Sequence, residues 1–491
     1  MSFAEVRKLD RTRLMPLLNA DAPRWDLPLV APSVAPVLDA LFRPAALARR
    51  AFERSARDTG RPVRARFALE QNGGAVTHFA IEVFPEGHPG AAANLGMLER
   101  MVKLALWARG GFRIHVDAPD ALVEGLRAHF RESATGRFDS TMVGERVYDH
   151  AIEVVAAADL PPPRSSGTPL GGHLEGCRIG FDLGGSDRKV AAVVDGRVVW
   201  SEEVEWDPYH QADPKYHWNG IMDSLERAAS HMPRVDAIGG SAAGVYVDNT
   251  VRFSSLFRGI APDAFERHVK NIFHDLKHAW HDVPFDVIND GDVTALFGSM
   301  SFHDGGGVLG VALGTSTAGG YVTGDGRVTP WLNEVAFVPI DYCPDAPRDE
   351  WSGDYGCCVQ YLSQQAVGRL LAPAGIEVAP SLSLPARLKA LQALMLAGDP
   401  RAKDVYQTLG VYLGYAIGHL TDVYDFRHVV VLGRVTSGPG GEIILAEARE
   451  ALRADFPELA HRVDLRMPGE KEKRHGQAIA AASLPLSSSA R

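Results

Sequence analysis

The chain has 491 residues, of which 46% are hydrophobic and 23% charged, and its formal net charge is −10. That length exceeds one ordinary core and predicts two or three globular domains. The negative charge argues against nucleic-acid or anionic-membrane binding driven by overall charge. No apolar run approaches the roughly 20 residues of a membrane span. Cys177, Cys343, Cys357 and Cys358 make no disulfide framework, and the opening MSFAEVRKLDRTR carries charge where a signal peptide is apolar, so a cytoplasmic protein is expected.

In chain order, VRARFALE from Val63 alternates as a half-buried strand does, QNGG turns the chain, and THFAIEVF resumes the alternation. NLGMLERMVKLALWARG places Leu95, Leu98, Val102 and Leu106 about one helical turn apart, which predicts an amphipathic helix. GFRIHVDAP reads as a strand and DALVEGLRAHF as a helix. These elements predict an α/β module of its own over residues 1–159. LPPPRSSGTPLGGHLEG, dominated by Pro, Gly and Ser, predicts a linker over 160–176, its alternative being a rigid surface loop. Strands and helices alternate from there on. FERHVKNIFHDLKHAW is expected to be one amphipathic helix, HVVVLGRV a buried strand, and GQAIAAASL a last helix. The pattern predicts an α/β fold in two lobes, 177–290 and 291–474, with 475–486 returning to the first.

CRIGFDLGGSDRKVAAVVDGRVVW recurs at a shift of 130 residues as LGVALGTSTAGGYVTGDGRV. Gly180 falls on Gly310, Leu183 on Leu313, Gly184 on Gly314 and Ser186 on Ser316 without a gap, and Asp195–Gly196 falls on Asp325–Gly326. Each copy reads strand, small-residue turn, strand, Asp-Gly turn, strand, the mark of a duplicated domain. Such turns offer backbone N–H groups to an anion, so two of them could hold a polyphosphate. Asp182 becomes Ala312 in the second copy, so one turn alone can hold magnesium or its water. VINDGDVTALFG puts Asn289 and Asp290 at a strand end before a helix, where ligands of α/β sheets gather. Asp290 is there either a helix N-cap or a base that accepts a substrate hydroxyl's proton.

These segments, with VVVLGRVTSGPG, resemble the sugar-kinase, actin and heat-shock-chaperone superfamily, and within it the ROK family of sugar kinases and sugar-responsive repressors, over roughly residues 177–486. The resemblance implies a duplicated ribonuclease H-like, actin-like ATPase fold with an additional N-terminal α/β domain. It implies ATP- and Mg²⁺-dependent phosphorylation of a sugar or polyol by a homodimer. Asp290 would be the general base and Asn289 would hold a neighbouring hydroxyl. Asp182 would order Mg²⁺ through water; Gly184, Gly185, Ser186 and Lys189 would lie near the transferred phosphate; Gly314, Thr315 and Ser316 would hold the others; Gly433 would border the base pocket. Glu334, in NEVAFVPID, would bind the sugar. Gly244 would shape a turn beside it, and Ser254 or Ser255 would add to the pocket or stand in a plain loop.

The departures are specific. Phe337 stands where the family has a zinc-binding histidine, Glu350 and Ser352 at two of its cysteine positions, and Val359 at a further sugar-binding glutamate, while Cys357 remains. Cys343 with Cys357–Cys358 offers no Cys-x-x-Cys spacing, so no zinc site is expected. These losses keep a second reading open: a non-catalytic sugar or nucleotide sensor, or a ROK-type regulator. No Gly-x-x-x-x-Gly-Lys-Ser/Thr occurs, and GGGVLG from Gly305 leads into a strand instead of following one. The stretch with His210 and His217 reads as a surface loop, with a cover over the site as its alternative.

Overall fold

Alternating apolar residues make β1 (Val63–Glu70) and β2 (Val76–Val83), an antiparallel pair in which Val63 faces Val83 and Glu70 faces Val76. The computed structural model describes residues 25–165, 170–185, 187–300, 302 and 306–486, with 470–475 as backbone only. β3 (Arg113–Asp117) adds antiparallel to β1, and β4 (Glu153–Ala156) parallel to β3, closing a sheet of order β2-β1-β3-β4. Helices α1 (Ala45–Asp58), α2 (Asn94–Arg109) and α3 (Asp120–Glu132) go with it. α1 and β4 are additional to the elements read from sequence.

α2 departs from the amphipathic helix its periodicity predicts: Glu99, Arg100 and Lys103 are as buried as Leu98 and Leu106. The reason is that this sheet and its helices share one apolar core with the second lobe. Trp107 packs on Phe337 with ring centroids 4.3 Å apart, and Phe42 on Tyr412 at 4.9 Å. The N-terminal residues therefore do not rest on a core of their own. Nor does the 160–176 stretch behave as a loose tether where it is described. Arg164 pairs with Val76 as an isolated bridge, Leu170 does so with Val328, and Gly171 N donates to Leu484 O at 3.1 Å.

The first lobe carries β5 (Cys177–Leu183), β6 (Asp187–Val194), β7 (Arg197–Glu205), β8 (Ala237–Ala242) and β11 (Phe285–Asn289) in the order β11-β8-β5-β6-β7, with a two-stranded ribbon of β9 (Val245–Val247) and β10 (Thr250–Phe253) beside it. The second lobe repeats the plan with β12 (Val308–Leu313), β13 (Thr317–Val322), β14 (His428–Leu432) and β15 (Asp464–Arg466) in the order β13-β12-β14-β15. In each, the first strand pairs antiparallel with the hairpin partner and parallel on its other side. The repeat is not fully kept, however. The third strand of the second copy shrinks to a single Val322–Val328 bridge. Leu183 also pairs with Arg188 whereas Leu313 pairs with Thr317, so the second turn is tighter by one residue.

The long helix expected over 265–280 is two, Pro262–His268 and Ile272–Ala279, because the Lys270 carbonyl between them takes the Val251 N–H of β10 at 2.9 Å. α4 (Asp290–Met300) follows β11 directly, α5 (Pro400–Leu420) and α6 (Pro439–Asp455) cover the second sheet, and α7 (Glu470–Ala482) returns to lie on the first. The duplicated glycines have a shared cause. A Cβ at Gly180 would stand 1.8 Å from the Ala478 carbonyl of α7, and one at Gly310 would stand 2.8 Å from the Ala295 nitrogen of α4. Each lobe thus presents a bare backbone to one helix. Among the described residues no helix is long and apolar enough to cross a membrane.

Candidate active site

β11 delivers Asn289 and Asp290 to the line where the lobes meet, since the first turn of α4 rests on β13. Asn289 Nδ2 donates to Gly244 O at 2.7 Å, and its Oδ1 accepts the Gly291 N–H at 2.7 Å. That same N–H reaches Asp290 Oδ1 at 3.1 Å, and the other Asp290 oxygen takes no hydrogen bond from a described residue. The carboxyl is half-buried. Burial, and then the nearby charge of Asp182, push its pKa up to about 6 against the pull of the Gly291 amide.

Two further carboxyl groups converge here. Glu334 is half-buried with no hydrogen bond or ion pair to its side chain among the described residues, and burial plus the charges of Asp290 and Asp292 push it up to about 8. Asp292 is buried and also pushed up to about 8 by desolvation, although Asn333 Nδ2 at 2.7 Å and the Tyr321 N–H at 3.2 Å donate to it. Nothing in the sequence singled out Asp292. Its partners come from distant segments, and only its place two residues after Asp290 hinted at it.

The Glu334 segment is held by the end of α2. The N–H groups of Leu332, Asn333 and Glu334 donate to the carbonyls of Arg109, Ala108 and Trp107 at 3.3, 3.0 and 3.0 Å. These are last-turn carbonyls that a helix leaves without partners of its own. Asn333 sits at φ 53° with its side-chain oxygen accepting from Tyr424 Oη at 2.8 Å, and Arg109 lies 3.3 Å over the Trp331 ring. Behind it runs a buried ionic network. Lys103 Nζ contacts Asp139 at 2.8 Å and Asp354 at 3.2 Å, and Arg100 contacts Glu99 at 2.5 Å and Asp354 at 2.9 Å. Phe337 is buried on Trp107, and Cys357 is buried with its thiol pushed well up by desolvation.

Of the remaining candidate residues on this side, Gly244 fits closely, as a Cβ there would stand 2.5 Å from Ser254 Cβ. The Ser254 hydroxyl is engaged within the chain: it donates to Ala243 O and accepts the Leu256 N–H at 3.2 Å, capping the short helix Ser255–Phe257. Ser255 is the first residue of that helix, with no side-chain hydrogen bond to a described residue.

On the opposite side lie the two turns. Gly184 N donates to Asp187 O and Gly314 N to Ser316 O, both at 2.9 Å, leaving Thr315 and Ser316 exposed. Ser186 lies outside the described residues. Asp182 is buried beneath the first turn, accepting from Ser241 Oγ at 2.6 Å, and burial raises its pKa. Lys189 Nζ stands 3.9 Å from Asp182 and 3.2 Å from Asp187; burial alone would lower its pKa, but these two charges raise it. Asp187 also pairs with Arg434 at 3.3 Å, so the first turn reaches across to the second lobe beside Gly433. A Cβ at Gly433 would meet Leu313 O at 2.3 Å, which ties that glycine to the second turn. The stretch expected as a surface loop is a short turn, Pro208–His210, followed by a helix, Pro214–Ala229, and its start packs on the first turn. Trp206 Nε1 donates to Gly184 O at 2.8 Å, a Cβ on Gly185 would stand 2.0 Å from Tyr209 Oη, and His217 is buried with Nε2 3.0 Å from Leu256 O.

A hard carboxylate oxygen in Asp182, an ammonium in Lys189 and two glycine turns are a donor set that fits a magnesium nucleotide. The carboxyls of Asp290 and Glu334 fit a polyhydroxylated neutral molecule.

No known family model and no curated relative matches the sequence. Solved structures do. A ROK hexokinase from Thermus thermophilus is 22% identical, with 63% of this chain and 98% of that one covered and a TM-score of 0.48. A ROK family glucokinase from Streptomyces griseus, solved in complex with glucose and AMPPNP, is 20% identical, with 62% and 98% covered and a TM-score of 0.48. A ROK family transcriptional regulator, a homologue of the E. coli MLC protein, is 18% identical, with 74% and 88% covered and a TM-score of 0.50. The chain shares the actin-like ATPase fold of that regulator.

Proposed function

We propose that the chain is a ROK family member and a sugar kinase, transferring a phosphoryl group from Mg-ATP to a hydroxyl of a sugar or sugar-like polyol. The observation that supports this best is the Asp290 carboxyl. It stands at the meeting of the lobes with one oxygen unengaged among the described residues, beside Glu334, whose side chain has no partner among them, on one side and Asp182 on the other.

In this reading Asp290 accepts the proton of the attacking hydroxyl. A base with a pKa near 6 is ionised at neutral pH yet basic enough to take a developing proton. Asn289 and Glu334 orient the neighbouring hydroxyls. Bound Mg-ATP supplies the phosphoryl group and a metal to neutralise its charge; Asp182, Lys189 and the turns at Gly184–Gly185 and Gly314–Ser316 hold it, with Gly433 at the base. Positioning and fixed electrostatics then account for most of the rate. Approach of the lobes excludes water, the competing nucleophile.

The test is ADP release with Mg-ATP and a panel of sugars, aminosugars and polyols. Sugar-dependent turnover is expected, and Asp290→Asn is expected to lower kcat by about 10²–10⁴-fold. Tight sugar binding without turnover in either protein would support the sensor reading instead.

A further inference from the structure

Lys189 and Arg434 stand beside the two turns, one from each lobe, and share one acid. Lys189 Nζ is 3.2 Å from Asp187 Oδ1, and Arg434 Nη2 is 3.3 Å from Asp187 Oδ2. Asp187 thus joins a cation of the first lobe through one oxygen to a cation of the second through the other. A phosphate group held between two cations is engaged in the same way.

The backbone fixes this placement on both sides. Asp187 opens β6, and its carbonyl takes the Gly184 N–H at 2.9 Å, so the turn itself sets where the side chain leaves the chain. Arg434 opens the short helix Arg434–Thr436, directly after Gly433. The Gly433 carbonyl accepts both the Thr436 N–H at 3.1 Å and the Thr436 hydroxyl at 2.8 Å, and Gly433 packs bare against Leu313 O beside the second turn. The base of Arg434 is therefore anchored, while its side chain is 59% exposed and can change partners.

Charge balance decides what the arrangement takes. Asp182, Lys189, Asp187 and Arg434 alternate in sign along contacts of 3.9, 3.2 and 3.3 Å. The four cancel, so as they stand they give a polyphosphate no net attraction. Turning the single Asp187 side chain aside uncovers both cations and withdraws the carboxylate that repels the ligand. An ion pair as exposed as Asp187–Arg434 is weak, whereas charge-assisted hydrogen bonds from arginine to phosphate are among the strong ones.

We propose that Arg434 is a further nucleotide-binding residue and that Asp187 competes with the nucleotide for it: phosphate oxygens displace the Asp187 carboxylate and take over Lys189 and Arg434 together. The proposal rests on the nucleotide-binding part of the kinase reading. It makes entry of the nucleotide an exchange, in which the ion pair between the lobes is replaced by one that runs through the phosphates.

Calorimetric binding of Mg-ATP and of adenosine tests this without turnover. Asp187→Asn keeps the shape of the side chain and removes its charge; it is expected to tighten Mg-ATP about threefold or more, the scale of an exposed ion pair that no longer has to be broken. Arg434→Met is expected to weaken Mg-ATP about tenfold, the scale of one hydrogen bond to a charged group. Adenosine, which carries no phosphate, should show no difference among the proteins. Asp187→Ser and Arg434→Gln repeat both arms if a first variant does not fold. Were Asp187 there to hold Lys189 in place for the ligand, its loss would weaken Mg-ATP instead. Unchanged or weaker binding in the Asp187 variants, an Arg434 variant that binds like the parent protein, or a change that adenosine shares overturns the proposal. Absence of Mg-ATP binding to every one of these proteins overturns it together with the nucleotide site. The opposed shifts present with no sugar-dependent ADP release would overturn the kinase reading and leave the exchange at Asp187 standing.

Discussion

Asp182, Asp290, Asp292 and Glu334 crowd four acids into one corner, and their titration has two consequences. If Asp290 is the base, kcat/KM falls as pH drops through about 6 and is level above it until another group titrates; a pH–rate profile with no acid limb near 6 would remove it from that role. The second consequence concerns stability. Asp292 and Glu334, both pushed up to about 8, and Asp290 at about 6 hold protons in the folded chain that ordinary carboxyls release near 4. The folded state thus binds more protons than the unfolded one, and ligand-free stability should fall as pH rises from about 5 to 8. Thermal melts across that range would register it, and Glu334→Gln should flatten the slope. The position of Asn289 and Asp290 at a strand end was legible because strand, acid and helix are contiguous in sequence. The capping role of Ser254 was not, since a hydroxyl that caps a short helix carries no local sequence mark that separates it from one in a plain loop.

Helix α2 shows what periodicity can and cannot reveal. Its apolar spacing predicts one buried face, and the other face is buried as well because Lys103 and Arg100 are ion-paired there with Glu99, Asp139 and Asp354. No local pattern distinguishes a charged face in water from one in a network whose partners lie 36 and 251 residues away in the chain. Removing one member leaves a charge stranded, so Lys103→Ala should cost about 3–5 kcal/mol in denaturant unfolding. Lys103→Met combined with Asp139→Asn should cost less than the sum of the two, as expected of groups that satisfy each other. The same helix end fixes the Glu334 backbone, so milder changes there should raise KM for the acceptor more than KM for ATP. The break between Pro262–His268 and Ile272–Ala279 has a similar lesson: the apolar spacing continues across it, but a strand from elsewhere takes the carbonyl at the join.

Over the whole molecule, the paired hairpins could be read from the 130-residue repeat and the last helix from GQAIAAASL, whereas the continuity of the N-terminal residues with the second lobe could not. Composition marks where a chain changes character, not which apolar faces meet. Cutting the chain before residue 160 would expose the core faces that Phe42, Trp107 and α1 now cover. Such a truncation is expected to lose cooperative melting and to aggregate, which near-UV circular dichroism and light scattering would detect. The lobes are joined across the cleft at one edge by Asp187–Arg434, while Asp149–Arg252 ties the N-terminal residues to the first lobe. Between these edges α4 meets β13 with no side chain intervening: a Cβ at Gly291 would stand 2.1 Å from Gly319 O, and one at Gly320 would stand 2.0 Å from Gly291 O. The spacing between the Asp290 carboxylate and the second hairpin is consequently gauged by the thickness of two peptide planes. A single methyl at position 320 acts as a shim, displacing an entire helix start while every polar group survives, so if the kinase reading holds, Gly320→Ala should abolish sugar-dependent ADP release without deleting any polar side chain.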